Sequence, residues 1–274
     1  MYGLKFRINP LKKIYLIGIS VMPPFVKPFL YRLADFKIGK NTSIGWFSLI
    51  ISNEFEIGNN SEISPLNMMI CNKVKIGDYA IVSMFNWIYG RASFRIGNHS
   101  FIGARSMINC YEDVIIGNFT GIGAESALYT HGVWLPYAEG YPRRFKPIII
   151  GNNVWIPVRV IILPITIGDN VTVGTGSTLY KDIPSDSFVT TTPMEIRENK
   201  LKQELNRETK YHRILEMADE FRLQTNSAVV VHDLKVYVGN SEFNFKTRKC
   251  IIKDKIAKEF REYMLTYWGE WFDN

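Results

Sequence analysis

Residues 96–128 read IGNHSFIGARSMINCYEDVIIGNFTGIGAESAL, with an aliphatic residue at every sixth position: Ile96, Ile102 and Ile108, then Ile116, Ile122 and Leu128. Six is neither the 3.6-residue period of a helix nor the alternation of a strand. Working outward, the same spacing recurs at Ile38/Ile44/Ile50, Ile150/Ile156/Ile162 and Ile167/Val173/Leu179. Ten Ile-Gly pairs mark the beat from Ile38-Gly39 to Ile167-Gly168, and coils starting at Ile38, Ile57, Ile76, Ile96, Ile116, Ile150 and Ile167 lie 17 to 20 residues apart except at one interruption. Three short strands and three corners per turn predict a triangular, all-β parallel solenoid. Its aliphatic residues point inward and stack on their equivalents in neighbouring coils, since no single coil buries its own face. The glycines, often followed by Asn or Asp, suit corners that need positive φ or a close backbone approach. Scattered turns of an ordinary sandwich would not keep this register.

The interruption lies between Leu128 and Ile150, immediately after His131. Residues 132–147 form an aromatic and basic loop containing Trp134, Tyr137, Tyr141, Arg143, Arg144 and Lys146. Such residues suit stacking on a sugar ring and forked hydrogen bonds to phosphate or carboxylate. A loop that packs across an interface would have the same composition.

From Pro193 onward the six-residue period is gone. Residues 199–222 predict a helix with Leu201, Leu205, His212, Leu215, Ala218 and Phe221 on one side. AVVVHDLKVYVGNSEFNF predicts a hairpin turning at Gly239-Asn240, and DKIAKEFREYMLTYW a closing helix capped by Asp254. The expected organisation is a lead-in over residues 1–37, a β-helix over 38–197 and a small α+β appendage over 198–274.

With 274 residues, 46% hydrophobic and 14% aromatic, the chain is long and apolar enough for a large core, which excludes a disordered protein. The net charge of +7 comes without a Lys/Arg block, a helix-turn-helix or a zinc-finger pattern, so nucleic acid is not an expected partner. Cys71, Cys110 and Cys250 form no CxxC pair, which predicts neither a disulfide framework nor a zinc site and fits a reducing cytoplasm. The apolar run near the N-terminus is cut by Pro23, Pro24, Lys27 and Pro28 and is too short to span a bilayer. Lys12, Lys13, Lys27 and Arg32 flank its apolar residues, a pattern compatible with a weak peripheral membrane contact.

The repeat, a "TH" before a loop, then PIIIGNNVWIP and ITIGDNVTVGTGSTLYKDIP, resembles the hexapeptide-repeat O-acetyltransferases of the sugar and polysaccharide type. The resemblance covers roughly residues 38–197. It implies a left-handed parallel β-helix that assembles as a homotrimer, with sites between subunits. It also implies transfer of an acetyl group from acetyl-CoA to a hydroxyl of a sugar or polysaccharide precursor. His131 matches the family's general base, and Val158 matches the backbone N–H donor to the oxyanion. Trp155 matches the tryptophan that walls the acceptor and thioester region. Thr175, Tyr180, Lys181 and Arg197 match or adjoin the family's CoA-contact positions. Departures are Pro157 where the family has glycine, Glu195 where a basic residue is common, and a shortened LPIT segment.

The chemistry explains why a histidine is wanted. A sugar hydroxyl is a poor nucleophile until a positioned base takes its proton, and an imidazole with a pKa near 6.5 is neutral at pH 7. Asn109 is a candidate to orient the acetyl carbonyl or the acceptor, or simply to satisfy its own coil. Glu125 and Asp113 are candidates to orient His131. His99 is expected in a solvent-facing corner, with His212 and His232 in the appendage. Only His99 and His131 lie in the solenoid, too few for a three-histidine metal site on this fold, and no metal is expected. The alternatives are an amino-sugar N-acetyltransferase and a non-catalytic scaffold.

Overall fold

The computed structural model describes residues 7–132, 135–189, 205–270 and 272–273. Two compact units emerge. One comprises residues 3–131 and 145–194, the other residues 132–144 and 195–274.

The first unit is the expected solenoid. Its strands form three parallel sheets of seven, eight and seven strands, each strand pairing with its equivalents one coil before and one coil after. The first sheet runs from Lys37–Ile38 to Thr166–Ile167, the second from Ser43–Ile44 to Phe188–Val189, the third from Leu49–Ile51 to Thr178–Leu179. Register follows the six-residue period: Ile108 faces Ile88 on one side and Leu128 on the other, and Ile122 lies between Ile102 and Ile156. All these residues are fully buried.

From Ile57-Gly58 onward, the residue after each Ile-Gly pair of the first sheet builds a second ladder. The Oδ1 atoms of Asn59, Asp78, Asn98, Asn118, Asn152 and Asp169 each accept a backbone N–H from the coil before, at 2.6–2.9 Å. The glycines of these corners are required by close approach. A Cβ on Gly117 would lie 2.4 Å from the carbonyl oxygen of Gly151. Positive φ falls two residues later, at Asn60, Tyr79, His99, Phe119 and Asn153. Of the two reasons offered for these glycines, only close approach applies.

Two helices precede the first coil: α1 (Pro10–Ser20) and α2 (Lys27–Leu33). Leu16, Ile19 and Tyr31 join the solenoid core. Lys27 is fully buried and donates to the carbonyls of Ser20 and Gly45, at 2.9 and 2.6 Å, and burial pulls its pKa down to about 8.

The second unit contains α3 (Arg207–Thr225), a four-stranded antiparallel meander over 229–251 and α4 (Lys255–Trp268). The sequence suggested one hairpin. The turn at Gly239-Asn240 is there, but Asp233-Leu234 makes a second turn and 245–248 a third. Helix α3 starts eight residues later than predicted, because Asn206 caps it by accepting the Thr209 N–H. Its buried side is Ile214, Met217, Ala218 and Phe221, whereas His212 is exposed. Asp254 caps α4 as expected, accepting from the Ala257 N–H at 2.9 Å.

The loop 132–144 belongs to this unit. Arg143 lies 3.7 Å over the Trp268 ring and donates to the Tyr267 carbonyl at 2.6 Å. Arg213 covers the Tyr137 ring, and Glu139 pairs with Lys210. The fully buried Glu270 accepts from the Ala138 N–H at 2.5 Å and pairs with Arg248. Arg248→Ala leaves that carboxylate buried and unpaired, so unfolding free energy is expected to fall by about 3–5 kcal/mol. Denaturant melts should show part of that loss recovered by adding Glu270→Gln.

Candidate functional site

The loop leaves the solenoid where a third-sheet strand would turn into a first-sheet strand. His131 is the last residue of the first unit before the excursion and Phe145 the first after it. Asn109, one residue beyond the inward Ile108, is almost fully buried on that same edge. Its Oδ1 lies 2.8 Å from His131 Nδ1. The same oxygen is 3.3 Å from the Tyr111 backbone N–H, which can only donate. That contact fixes the atom as an acceptor, so Nδ1 carries the proton and Nε2 is left with its lone pair. Asn109 is therefore tied to the histidine.

Aromatic rings hold the imidazole. Tyr111 lies 4.4 Å from it, centroid to centroid, and Phe145 5.3 Å. Thr130 Oγ1 donates to the Asn109 carbonyl at 3.0 Å and accepts from the Glu112 N–H at 3.1 Å, which stitches the coil carrying the histidine to the one below. Arg91, one coil further down, donates to the Tyr111 carbonyl and pairs with Glu112 at 2.9 Å. Partial burial and then the positive charge of Arg91 hold the His131 pKa below its ordinary value, so the neutral imidazole predominates at pH 7.

Neither candidate carboxylate is the partner of His131. Glu125 sits at the preceding corner, held by Arg105 at 2.6 Å and Arg159 at 2.7 Å. Asp113 accepts the Ser93 N–H at 2.9 Å. His99 is exposed in its corner, stacked between Tyr79 and Phe119 at 4.8 and 4.9 Å. His232 is exposed in the meander. No group of His, Cys, Asp or Glu among the described residues could hold a metal ion.

The other expected site residues divide between two edges of the prism. Tyr180 and Lys181 are exposed on the His131 edge, Tyr180 continuing the row of Asn109 and Tyr129 two coils further on. Trp155 and Val158 lie elsewhere. Trp155 is half exposed on the outer face of the second sheet, lying over Gly121, where a Cβ would come within 2.9 Å of its ring. It borders an open cavity of about 230 Å³ shared with Phe119, Asn153, Asn170 and Thr172. Val158 and Thr175 are exposed at successive positions of the corner between the second and third sheets. One side of the triangle thus separates His131 from Val158, on the order of 15 Å at ~3.3 Å per residue. Arg197, Glu195 and Trp134 fall outside the described residues.

Pro157 leaves the corner intact and removes one ladder bond. At the equivalent positions Gly103 and Gly123 donate to the next coil's carbonyl at 2.7 Å. Proline cannot, and the pairing of Trp155–Ile156 with Thr172–Val173 shrinks to the single pair Trp155–Thr172. The Val158 N–H makes no hydrogen bond among the described residues.

Of the loop residues expected to meet a ligand, Tyr137 and Arg143 are engaged within the second unit. Arg144 and Lys146, on either side of Phe145, are exposed. Tyr111 and Arg91 were not among the expected site residues. They precede His131 by one and two coils of 20 residues, and that spacing could have found them.

Comparison with known proteins agrees with this architecture. A family model described as the hexapeptide repeat of succinyl-transferase matches residues 147–181. Galactoside O-acetyltransferase of Escherichia coli K12 is 31% identical over 121 residues, which cover 40% of this chain and 59% of that protein. The chain is similar to the hexapeptide-repeat acetyltransferases. A second relative, galactoside O-acetyltransferase of Lactococcus lactis, is 32% identical over 88 residues, 31% of this chain and 42% of that one. The chain thus spans roughly half the length of these two relatives. A hexapeptide-repeat acetyltransferase of Vibrio cholerae O1 biovar eltor, solved in complex with acetyl coenzyme A, is 30% identical with a TM-score of 0.39. That match covers 47% of this chain and 72% of the other.

Replacing Arg91 with Gln in this hexapeptide-repeat protein removes a positive charge that disfavours imidazolium. The acid limb of the kcat/KM profile, expected below pH 6.5 in the native chain, should then move upward toward that value. Rate measurements between pH 4.5 and 8 check this. An unmoved limb would separate Arg91 from the titration of His131.

Proposed function

We propose that the chain is an acetyl-CoA-dependent O-acetyltransferase acting on a hydroxyl of a sugar or polysaccharide precursor. The observation that carries this reading is the Asn109–His131 pair. With Nδ1–H committed to Asn109, Nε2 is the only imidazole atom free to accept a proton. Kinship with two galactoside O-acetyltransferases supports a sugar hydroxyl as the acceptor.

The bound thioester supplies an activated acetyl carbonyl. His131 Nε2 takes the proton of the acceptor hydroxyl as its oxygen attacks that carbonyl. The same nitrogen returns the proton to the departing sulfur as the C–S bond breaks. Asn109 holds the ring in the required tautomer, and Tyr111 and Phe145 hold its plane. The Val158 N–H is the proposed donor to the negative oxygen that develops on the carbonyl. Trp155, Thr175, Tyr180 and Lys181 are the proposed contacts for CoA. These residues fit it chemically: an exposed indole, hydroxyls and one cation suit a long amide arm that ends in phosphates.

His131 and Val158 stand on different edges of one prism, so one chain does not bring base and oxyanion donor together. A homotrimer that sets the His131 edge of one copy against the Val158 edge of the next completes the site. Lys146, exposed just after Phe145, is the proposed partner for an anionic group on the acceptor. The test is thiol release from acetyl-CoA with a panel of neutral sugars, nucleotide sugars and amino sugars. Turnover with hydroxyl acceptors is expected, and turnover restricted to amines would overturn the O-transfer reading.

A further inference from the structure

The solvent side of the N-terminal helix pair breaks the rule for the end of a solenoid, where a polar outer face is needed. Helix α1 buries Leu16 and Ile19 against the first coil. Its opposite side carries Leu11, Ile14, Ile17 and, at its end, Val21, spaced three or four residues apart and 46–77% exposed. The connection and α2 add Phe25 at 83% and Phe29 at 61%. A helix that is apolar on both sides needs a second apolar environment.

Charge identifies that environment. Residues 1–34 contain six Lys or Arg and no Asp or Glu. Lys13 is exposed beside Ile14, and Arg32 beside Phe29 and Leu33. A second copy seated on this surface by two-fold symmetry would bring these like charges together. The 11 residues of α1 span only about 16 Å, and no helix among the described residues is long and apolar enough to cross a membrane.

We propose that α1, α2 and their connection form an interfacial docking surface for an anionic phospholipid bilayer, with the helices lying in the headgroup plane. Lys27, through its bonds to Ser20 and Gly45, ties the pair to the first coil. His131 follows the fifth strand of the third sheet, about 19 Å along the stack from the first at ~4.8 Å per coil. On the reading of His131 given above, an acceptor held in the headgroup layer is within reach. The docking itself does not depend on that reading.

The test is co-sedimentation of the full chain with extruded vesicles of phosphatidylcholine alone or with 30 mol% phosphatidylglycerol, in 0.1 M salt. Binding is expected to be at least tenfold stronger to the anionic vesicles. Ile14→Ser with Val21→Ser should lower it at least tenfold, and Lys13→Glu should reduce it on anionic vesicles, with circular dichroism melts unchanged. Equal binding to both vesicle types, or equal binding by native and variant chains, overturns the proposal. So does absence of vesicle binding together with an assembly that dissociates in the Ile14→Ser/Val21→Ser variant, which assigns the face to a second copy.

Discussion

Replacing His131 with Ala is expected to lower kcat at least about 10²-fold, because loss of a positioned base removes a contribution of roughly 10²–10⁴. The side chain lies outside the prism and takes no part in the stacked aliphatic core, so the melting curve should be unchanged. Steady-state acetyl transfer at saturating acetyl-CoA measures this. Asn109→Ala is the companion variant. It leaves the imidazole in place and frees its tautomer, so a smaller loss with an altered pH profile is expected. Near-native turnover by His131→Ala would remove the imidazole from the reaction.

Val158→Pro is expected to reduce kcat by a similar amount, about 10²–10³-fold, the usual loss when one oxyanion donor is removed. Proline at this position deletes the N–H and little else. Register places Pro65 at the equivalent point of an earlier coil, where the next residue, Leu66, has φ 62°, close to the 60° of Arg159. The turn therefore accepts proline in this chain, and the variant should fold and bind CoA normally. A KM for acetyl-CoA that rises while kcat is retained would assign Val158 to binding rather than to the reacting oxygen.

Much of the solenoid was legible because its cause is local and periodic. Ile102, Ile108 and Leu128 lie inward since a six-residue step returns each to the same side of a triangular coil. His131 stood out as a candidate because the period breaks beside it and its place before the loop resembles the acetyltransferase pattern. Its neighbours were less so, since a 20-residue coil brings together residues that a linear reading keeps apart: Arg91 and Tyr111 stack beneath His131, while Glu125, only six residues before it, turns away at another corner. The loop could not be read from composition. An arginine such as Arg143 has the same letter whether it awaits a phosphate or lies across Trp268, and only packing separates the two. The appendage has no period to exploit, so the start of α3 rested on a single cap, Asn206, within a run of good helix formers.

His131 of one copy is proposed to work with Val158 of another. Co-expression of His131→Ala and Val158→Pro chains carrying different tags tests it most directly, with mixed assemblies isolated by sequential affinity steps. In every mixed trimer one site in three receives an intact His131 from one copy and an intact Val158 from its neighbour, so about a third of native activity should return. Mixed assemblies as inactive as either variant alone would contradict the shared site.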